Sequence, residues 1–187
     1  MKSTKYIISL AVLVLNISLS VPFQSQANAA NENIVQTTCS DCNLRDSQGR
    51  KVGLWIEENG LKEIYYKDGL RHGIYKSYYR KNGKLEGLGE CENGNKTGTW
   101  YYFDEESHLV GIEKGITKNP GLTVKREDGE RMTPLFKSYF IRYYPNGVIK
   151  EEGIALYDKE IEIDFFKKGT WKYYDQSGKL IKTEEHD

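Results

Sequence analysis

The 187-residue sequence is poor in proline, histidine, cysteine and methionine: Pro 4, His 3, Cys 3 and Met 2. So few prolines exclude a collagen-like chain, and so few cysteines exclude a disulfide-dense scaffold. Net charge is lacking too, with Lys+Arg 27 against Asp+Glu 27. The first 29 residues hold Lys2 and Lys5 and no acid, so the remainder carries 25 bases against 27 acids. A chain with no positive excess gains nothing from counterion release, and no nucleic-acid partner is expected. After residue 40 no stretch shows a sustained i, i+3, i+4, i+7 apolar stripe, which excludes a coiled coil. Beyond the amino terminus no apolar run approaches the ~20 residues of a membrane-spanning helix. What is abundant is Tyr 14, Phe 6, Trp 3 and Gly 18, too many ring anchors for a disordered tail.

The amino terminus is expected to be an export signal. Lys2 and Lys5 precede the apolar run Tyr6-Ile7-Ile8-Ser9-Leu10-Ala11-Val12-Leu13-Val14-Leu15, and Ala27-Asn28-Ala29 supplies an Ala-x-Ala cleavage site. The run is too short for a membrane anchor. Residues 1–29 are therefore assigned to a signal peptide. The mature protein is expected outside the cytoplasm, in the periplasm, cell envelope or medium, with no stable membrane insertion. Residues 30–49 are read as a flexible leader and 50–187 as one domain.

Short runs recur in that domain. They are Lys51-Val52-Gly53-Leu54-Trp55, His72-Gly73-Ile74-Tyr75, Lys96-Thr97-Gly98-Thr99-Trp100 and Lys168-Gly169-Thr170-Trp171. A worn copy, Lys137-Ser138-Tyr139-Phe140, has Ser in the glycine slot. The steps are 20 residues from Gly53 to Gly73, 25 to Gly98, 40 to Ser138 and 31 to Gly169. Most copies continue through a Tyr pair into a turn: Tyr78-Tyr79 before Asn82-Gly83, Tyr143-Tyr144 before Asn146-Gly147, and Tyr173-Tyr174 before Ser177-Gly178. Asn-Gly and Asp-Gly supply the positive φ of tight hairpin turns. Tyr, Trp, Phe, Ile and Val suit a pleated, half-covered surface. One hairpin cannot bury its rings alone, so neighbours must stack. The expected fold is all-β, an elongated open antiparallel meander of stacked β-hairpins.

The anchors are Trp55, Tyr75, Trp100, Phe140 and Trp171, and a second aromatic follows three places on at Tyr78, Phe103, Tyr143 and Tyr174. Strict alternation points the two sets opposite ways. Either both faces carry aromatics or a bulge lies between. The anchors are read as core. Tyr78, Tyr143 and Tyr174 are the candidate binding residues.

With its Gly-x-ring units at Gly53, Gly73, Gly98 and Gly169 and their downstream Tyr-Tyr and Asn-Gly turns, the chain resembles MORN-type repeat proteins, in the bacterial variant labelled antitoxin-like. The likeness runs from about Arg50 to Lys182. It implies an open sheet of hairpins, no catalysis and no cofactor, and it motivates a toxin-neutralising role. A segment at about 115–135, holding Pro120 and Pro134, breaks the period and is read as an inserted loop or irregular hairpin that offers a contact surface.

Reactive groups are sparse. Cys39-Ser40-Asp41-Cys42 is read first as a small structural disulfide. A redox CxxC site is the alternative, but no helix follows to lower a thiolate pKa. Zinc lacks a second CxxC: only Cys91, His72 and His108 remain to complete a set, and no metal site is expected. Cys91 reads as a small buried hydrophobe or a disulfide partner. No Gly-x-Ser-x-Gly pattern accompanies His72, His108 or His186. His72 falls in the basic slot that opens a repeat. The chain is thus expected to be a non-catalytic exported binding module for a protein partner. The alternatives are a structural or self-assembling envelope protein and, behind both, a thiol redox enzyme.

Overall fold

The computed structural model describes residues 39–126, 128–159 and 165–187. The expected signal peptide lies outside them, as does the leader up to residue 38. The strands are β1 (Leu44–Arg45), β2 (Lys51–Glu57), β3 (Lys62–Lys67), β4 (Leu70–Tyr78), β5 (Leu85–Glu92), β6 (Asn95–Phe103), β7 (Leu109–Lys118), β8 (Val124–Lys125), β9 (Arg131–Met132), β10 (Phe136–Tyr143), β11 (Ile149–Tyr157), β12 (Phe166–Tyr174) and β13 (Leu180–His186). Eleven of them form one antiparallel sheet in the order β1-β2-β3-β4-β5-β6-β7-β10-β11-β12-β13. Each strand pairs with its predecessor, save where the β8-β9 hairpin intervenes. The fold is the all-β open meander expected, and no α-helix occurs among the described residues.

Turn chemistry sets the hairpins. Asp68-Gly69 and Asn93-Gly94 take positive φ at both positions, +53 and +82, then +50 and +87. That is the backbone of a two-residue turn whose twist matches its flanking strands. A wider turn recurs at Asp46–Arg50, Asp104–His108, Tyr144–Val148 and Asp175–Lys179. In each the first residue's N–H donates to the fifth residue's carbonyl, and its own carbonyl accepts from the fourth residue's N–H. Where Asp leads, its Oδ1 accepts from two backbone N–H groups of the turn, as Asp175 does from Ser177 and Lys179. Asp46 does the same for Gln48 and Arg50, and Leu44–Arg45 pairs with Lys51–Val52. Among the described residues the sheet therefore begins at Leu44, inside the stretch read as leader.

Turns of successive repeats are clasped together. Tyr79 Oη donates to the Phe103 carbonyl (2.7 Å) and Asn82 Nδ2 to that of Glu105 (2.9 Å). Tyr144 and Asn146 do the same to Tyr174 (2.9 Å) and Gln176 (3.1 Å).

Three repeat glycines, Gly73, Gly98 and Gly169, sit in bulges. The register jumps between Ile64 and Tyr66, Leu88 and Glu90, and Glu152 and Ile154. Facing each jump is surplus backbone in the neighbouring strand at Gly73, Gly98 and Gly169, with φ of +99, +67 and +63. Such a conformation favours glycine. At Ser138, β10 carries no surplus residue against the preceding strand of the sheet and φ is not positive, so an L side chain fits. The bulge has moved across to β7, between Lys114 and Thr117, where Gly115 has φ +64. Gly115 and Ile116 thus belong to a strand that runs to Lys118, and the insertion shrinks to 119–135. It is tied down by Asn119, whose Nδ2 donates to the carbonyls of Leu122 and Pro134 and whose Oδ1 accepts from the Gly121 and Leu122 N–H groups.

A second class of glycine forms the platform for the rings. A Cβ on Gly89 would lie 2.2 Å from the Trp100 ring, one on Gly153 2.5 Å from Trp171, and one on Gly111 3.0 Å from Phe140. Trp100, Phe140 and Trp171 are buried there with Cys91, Tyr102, Ala155 and Tyr157. Each large ring removes on the order of 150–250 Å² from water, the main apolar gain open to a single-layer sheet. Tyr75 packs on Trp100 with centroids 5.2 Å apart. Trp55, near the sheet end, is half-buried.

Candidate binding face

Alternation along the anchor strands is unbroken between anchor and companion. The register jumps downstream of the anchors place the extra residue on the neighbouring strand, at Glu86, Val110, Lys150 and Ile181. Both faces consequently carry aromatics. One, the ring face, holds Trp100, Phe140 and Trp171. The other, the tyrosine face, holds Tyr78, Tyr139, Tyr143 and Tyr174.

On the ring face, strand alternation brings residues two before, two after and four after the repeat glycine to the same side. Lys96 Nζ lies 4.4 Å from the Trp100 ring centroid and 3.1 Å from Tyr102 Oη. Lys167 Nζ lies 4.5 Å from the Trp171 centroid, 3.2 Å from Tyr173 Oη and 2.6 Å from Glu151 Oε2. Lys51 covers Trp55 at 4.5 Å and pairs with Glu57. These cation–π contacts gain strength where the ammonium is partly desolvated. Fully buried Glu113 accepts from Tyr102 Oη at 2.7 Å and from Tyr157 Oη. A buried carboxylate needs such donors to offset its lost hydration. The basic slot is thus two residues before the glycine. Arg71 fills it in the second repeat, not His72, and Lys167 in the fifth, not Lys168.

The tyrosine face contains all three candidate tyrosines, each half-buried. Tyr78 Oη donates to Glu63 Oε1 at 2.8 Å, and Lys76 Nζ donates to Glu63 Oε2 at 2.9 Å. Burial, aided by Glu63, pushes the Tyr78 phenol well up. Burial pulls the Glu63 carboxyl upward, but its bonds from Lys76 and Tyr78 outweigh that and hold it below the ordinary value. Tyr174 Oη donates to Glu152 Oε1 at 2.8 Å, and that bond, with burial, raises its pKa. Tyr139 is pushed up to about 12 by burial and by its hydrogen bond to the same carboxylate. Burial also raises Tyr143, with Glu152 adding to the effect. The structure thus gathers Tyr143 and Tyr174 about Glu152, while Tyr78 belongs to a separate cluster at Glu63.

The same face exposes apolar surface in the amino-proximal strands. Tyr65 is 44% exposed, Ile74 46% and Tyr101 39%. Leu54 lies opposite Tyr65, and Leu88 and Ile112 flank Tyr101. On the same face of β10 and β11, Ile141 and Leu156 are buried.

Cys39 and Cys42 form a disulfide with Cα atoms 5.4 Å apart, and Cys91 is a buried thiol. His108 Nδ1 lies 3.0 Å from Asp104 Oδ2 within a turn. His186 Nε2 lies 3.1 Å from Tyr173 Oη. His72 Nδ1 is buried without a hydrogen-bond partner. The three imidazoles sit in different hairpins, and among the described residues no three His, Cys, Asp or Glu side chains form a metal-holding group. Among the same residues no helix is long and apolar enough to cross a membrane. No protein-family model matches the chain, and comparison with curated proteins likewise finds no match.

Sequence reasoning missed the glutamate partners Glu63 and Glu152 and the exposed Tyr65, Ile74 and Tyr101. The alternation of β3 held a signal: in Lys62-Glu63-Ile64-Tyr65-Tyr66, Glu63 and Tyr65 point away from buried Ile64.

Proposed function

We propose that the chain is an exported, non-catalytic binding module of MORN-like repeats that docks a protein partner on its tyrosine face. The observation that carries this reading is the exposed apolar surface of Tyr65, Ile74 and Tyr101, with Tyr78 held by Glu63 near it and Tyr174 held by Glu152 farther along the same face. Apolar and aromatic surface on a pre-ordered scaffold loses little conformational entropy when it docks, and Tyr is favoured at such contacts. The exposed surface carries Glu63 and Lys76 at its side, which suits a partner of mixed charge. Lys2, Lys5, the following apolar run and the Ala27-x-Ala29 site support export. The Cys39–Cys42 disulfide accords with an oxidising compartment. Neutralisation of a toxin is the specific form this binding takes in our reading, with the sheet covering the toxin's working surface.

A second reading, self-assembly in the envelope, draws on the sheet's open edge. Leu180 and Ile181 of β13 are exposed there. The bulge at Ile181 and the charges of Lys182 and Glu184 oppose edge-to-edge pairing, which ranks this reading below the first.

The test is capture from envelope extracts with the parent protein and with an Ile74→Asp, Tyr101→Glu double variant of unchanged melting temperature. A partner retained by the parent and lost by the variant is the expected result. Equal retention, or none by either, overturns the docking face. A concentration-dependent oligomer in light scattering of the protein alone favours self-assembly.

A further inference from the structure

The fourth repeat departs from the others in one further way. Two residues before its glycine slot stands Phe136, where the first, third and fifth repeats have Lys51, Lys96 and Lys167. Phe136 stacks on Tyr157, centroids 5.6 Å apart and planes 29° apart. Above this pair a cavity of about 410 Å³ opens on the ring face. Arg71, Lys96 and Lys159 line its wall. Asn95 adds an amide, and Ile116, from the displaced bulge, adds apolar surface. The one carboxylate among the described lining residues, Asp158, already accepts the Leu135 N–H at 3.0 Å. An adjoining cavity of about 350 Å³ shares Lys96, Ile116 and Phe136 and brings in Leu135 and Lys118.

We propose that this cavity binds a carboxylate joined to an aromatic or similarly bulky apolar group. Arg71 and Lys159 take the carboxylate, with Lys96 beside them, and Phe136, Tyr157 and Ile116 take the ring. The volume suits a small molecule or one peptide end. A guanidinium fork matches the two carboxylate oxygens, and a charge-assisted hydrogen bond at a partly sheltered site is stronger than a neutral one. The apolar floor rewards a ring over a bare anion. The inference is independent of the tyrosine-face reading, since it concerns the opposite face.

The experiment is an amide NMR titration of the whole protein with phenylacetate, with acetate and benzyl alcohol as half-ligands. Phenylacetate is expected to shift the amides of Asn95, Lys96, Ile116, Thr117 and Phe136. It should saturate at concentrations about tenfold or more below either half-ligand, a difference of ~1.4 kcal/mol. An Arg71→Gln, Lys159→Gln variant should weaken phenylacetate about tenfold while melting as the parent does. A parallel titration with N-acetyl-Gly-Gly-Phe, acid against amide, separates the sources: binding of the free acid points to a peptide terminus, and binding of phenylacetate alone to a free small acid. Shifts elsewhere, equal saturation by a half-ligand, or unaltered binding by the variant overturns the proposal.

Discussion

The fourth repeat and its neighbours show what the glycine slot is for. In the third and fifth repeats the slot is a bulge at φ +67 and +63, and Lys96 and Lys167 lie over their own tryptophans. In the fourth, β10 runs straight, Ser138 replaces glycine, Phe136 replaces lysine, and the surplus backbone appears one strand earlier at Gly115. The sheet still keeps its ring over a glycine, with Phe140 on Gly111 as Trp100 lies on Gly89 and Trp171 on Gly153. Two requirements thus separate. The ring-on-glycine contact is common to all three repeats, whereas the bulge changes strands in the fourth, where Phe136 also stands in place of the lysine cover. The uncovered place is where the cavity lies.

The ring contact should give the largest effects. Trp100→Ala is expected to lose about 3–5 kcal/mol in denaturant unfolding. Gly89→Ala, which puts a methyl against the same ring, should lose about 1–3 kcal/mol. Parent-like unfolding of both would place Trp100 outside the core. Next comes the slot itself. Gly98→Ala should cost about 1–2 kcal/mol, because its φ is left-handed. Ser138→Ala should stay within about 0.5 kcal/mol of the parent or stabilise, since the buried Ser138 Oγ has no hydrogen-bond partner. Equal losses at the two positions would erase the distinction drawn between these repeats.

The smallest effect contrasts the faces. Tyr78 and Tyr139 have pKa values raised above those of an unfolded chain, Tyr139 to about 12. Their contribution is complete below about pH 10, where both states keep the proton. It is lost as pH rises from about 10 toward 12, where the unfolded chain alone gives the proton up. Melting temperature should fall across that window, and less steeply in Tyr139→Phe. An unchanged slope in that variant would remove Tyr139 from the set of sheltered phenols.

The hairpin meander could be read from local residues. Asp68-Gly69, Asn93-Gly94 and Asn146-Gly147 announce turns without reference to any other strand, and the spacing of Trp55, Tyr75, Trp100, Phe140 and Trp171 marks the repeat. What escaped depends on register. Gly89, Gly111 and Gly153 look like ordinary strand glycines until the neighbouring ring is laid over them. The basic slot was misplaced by one residue, onto His72 and Lys168, because those side chains adjoin the glycine and point away from the ring two places on, whereas Arg71 and Lys167 share its side. Gly115 was assigned to the insertion because the bulge it serves belongs by pattern to Ser138, on another strand. Of the proposed docking face, the sequence pattern placed Tyr78, Tyr143 and Tyr174 opposite the anchors, but the glutamates that hold Tyr78 and Tyr174 are cross-strand neighbours 15 or more residues distant.

The strand order carries a consequence for how the molecule is made. Because every strand of the large sheet lies beside the one synthesised just before it, except across residues 119–135, a growing or threading chain meets its contacts in order of arrival. Each new ribbon finds a finished edge to settle on, so little search through distant segments is required and assembly should be rapid. A polypeptide delivered end first through a narrow channel can take up its final form from the leading end backward.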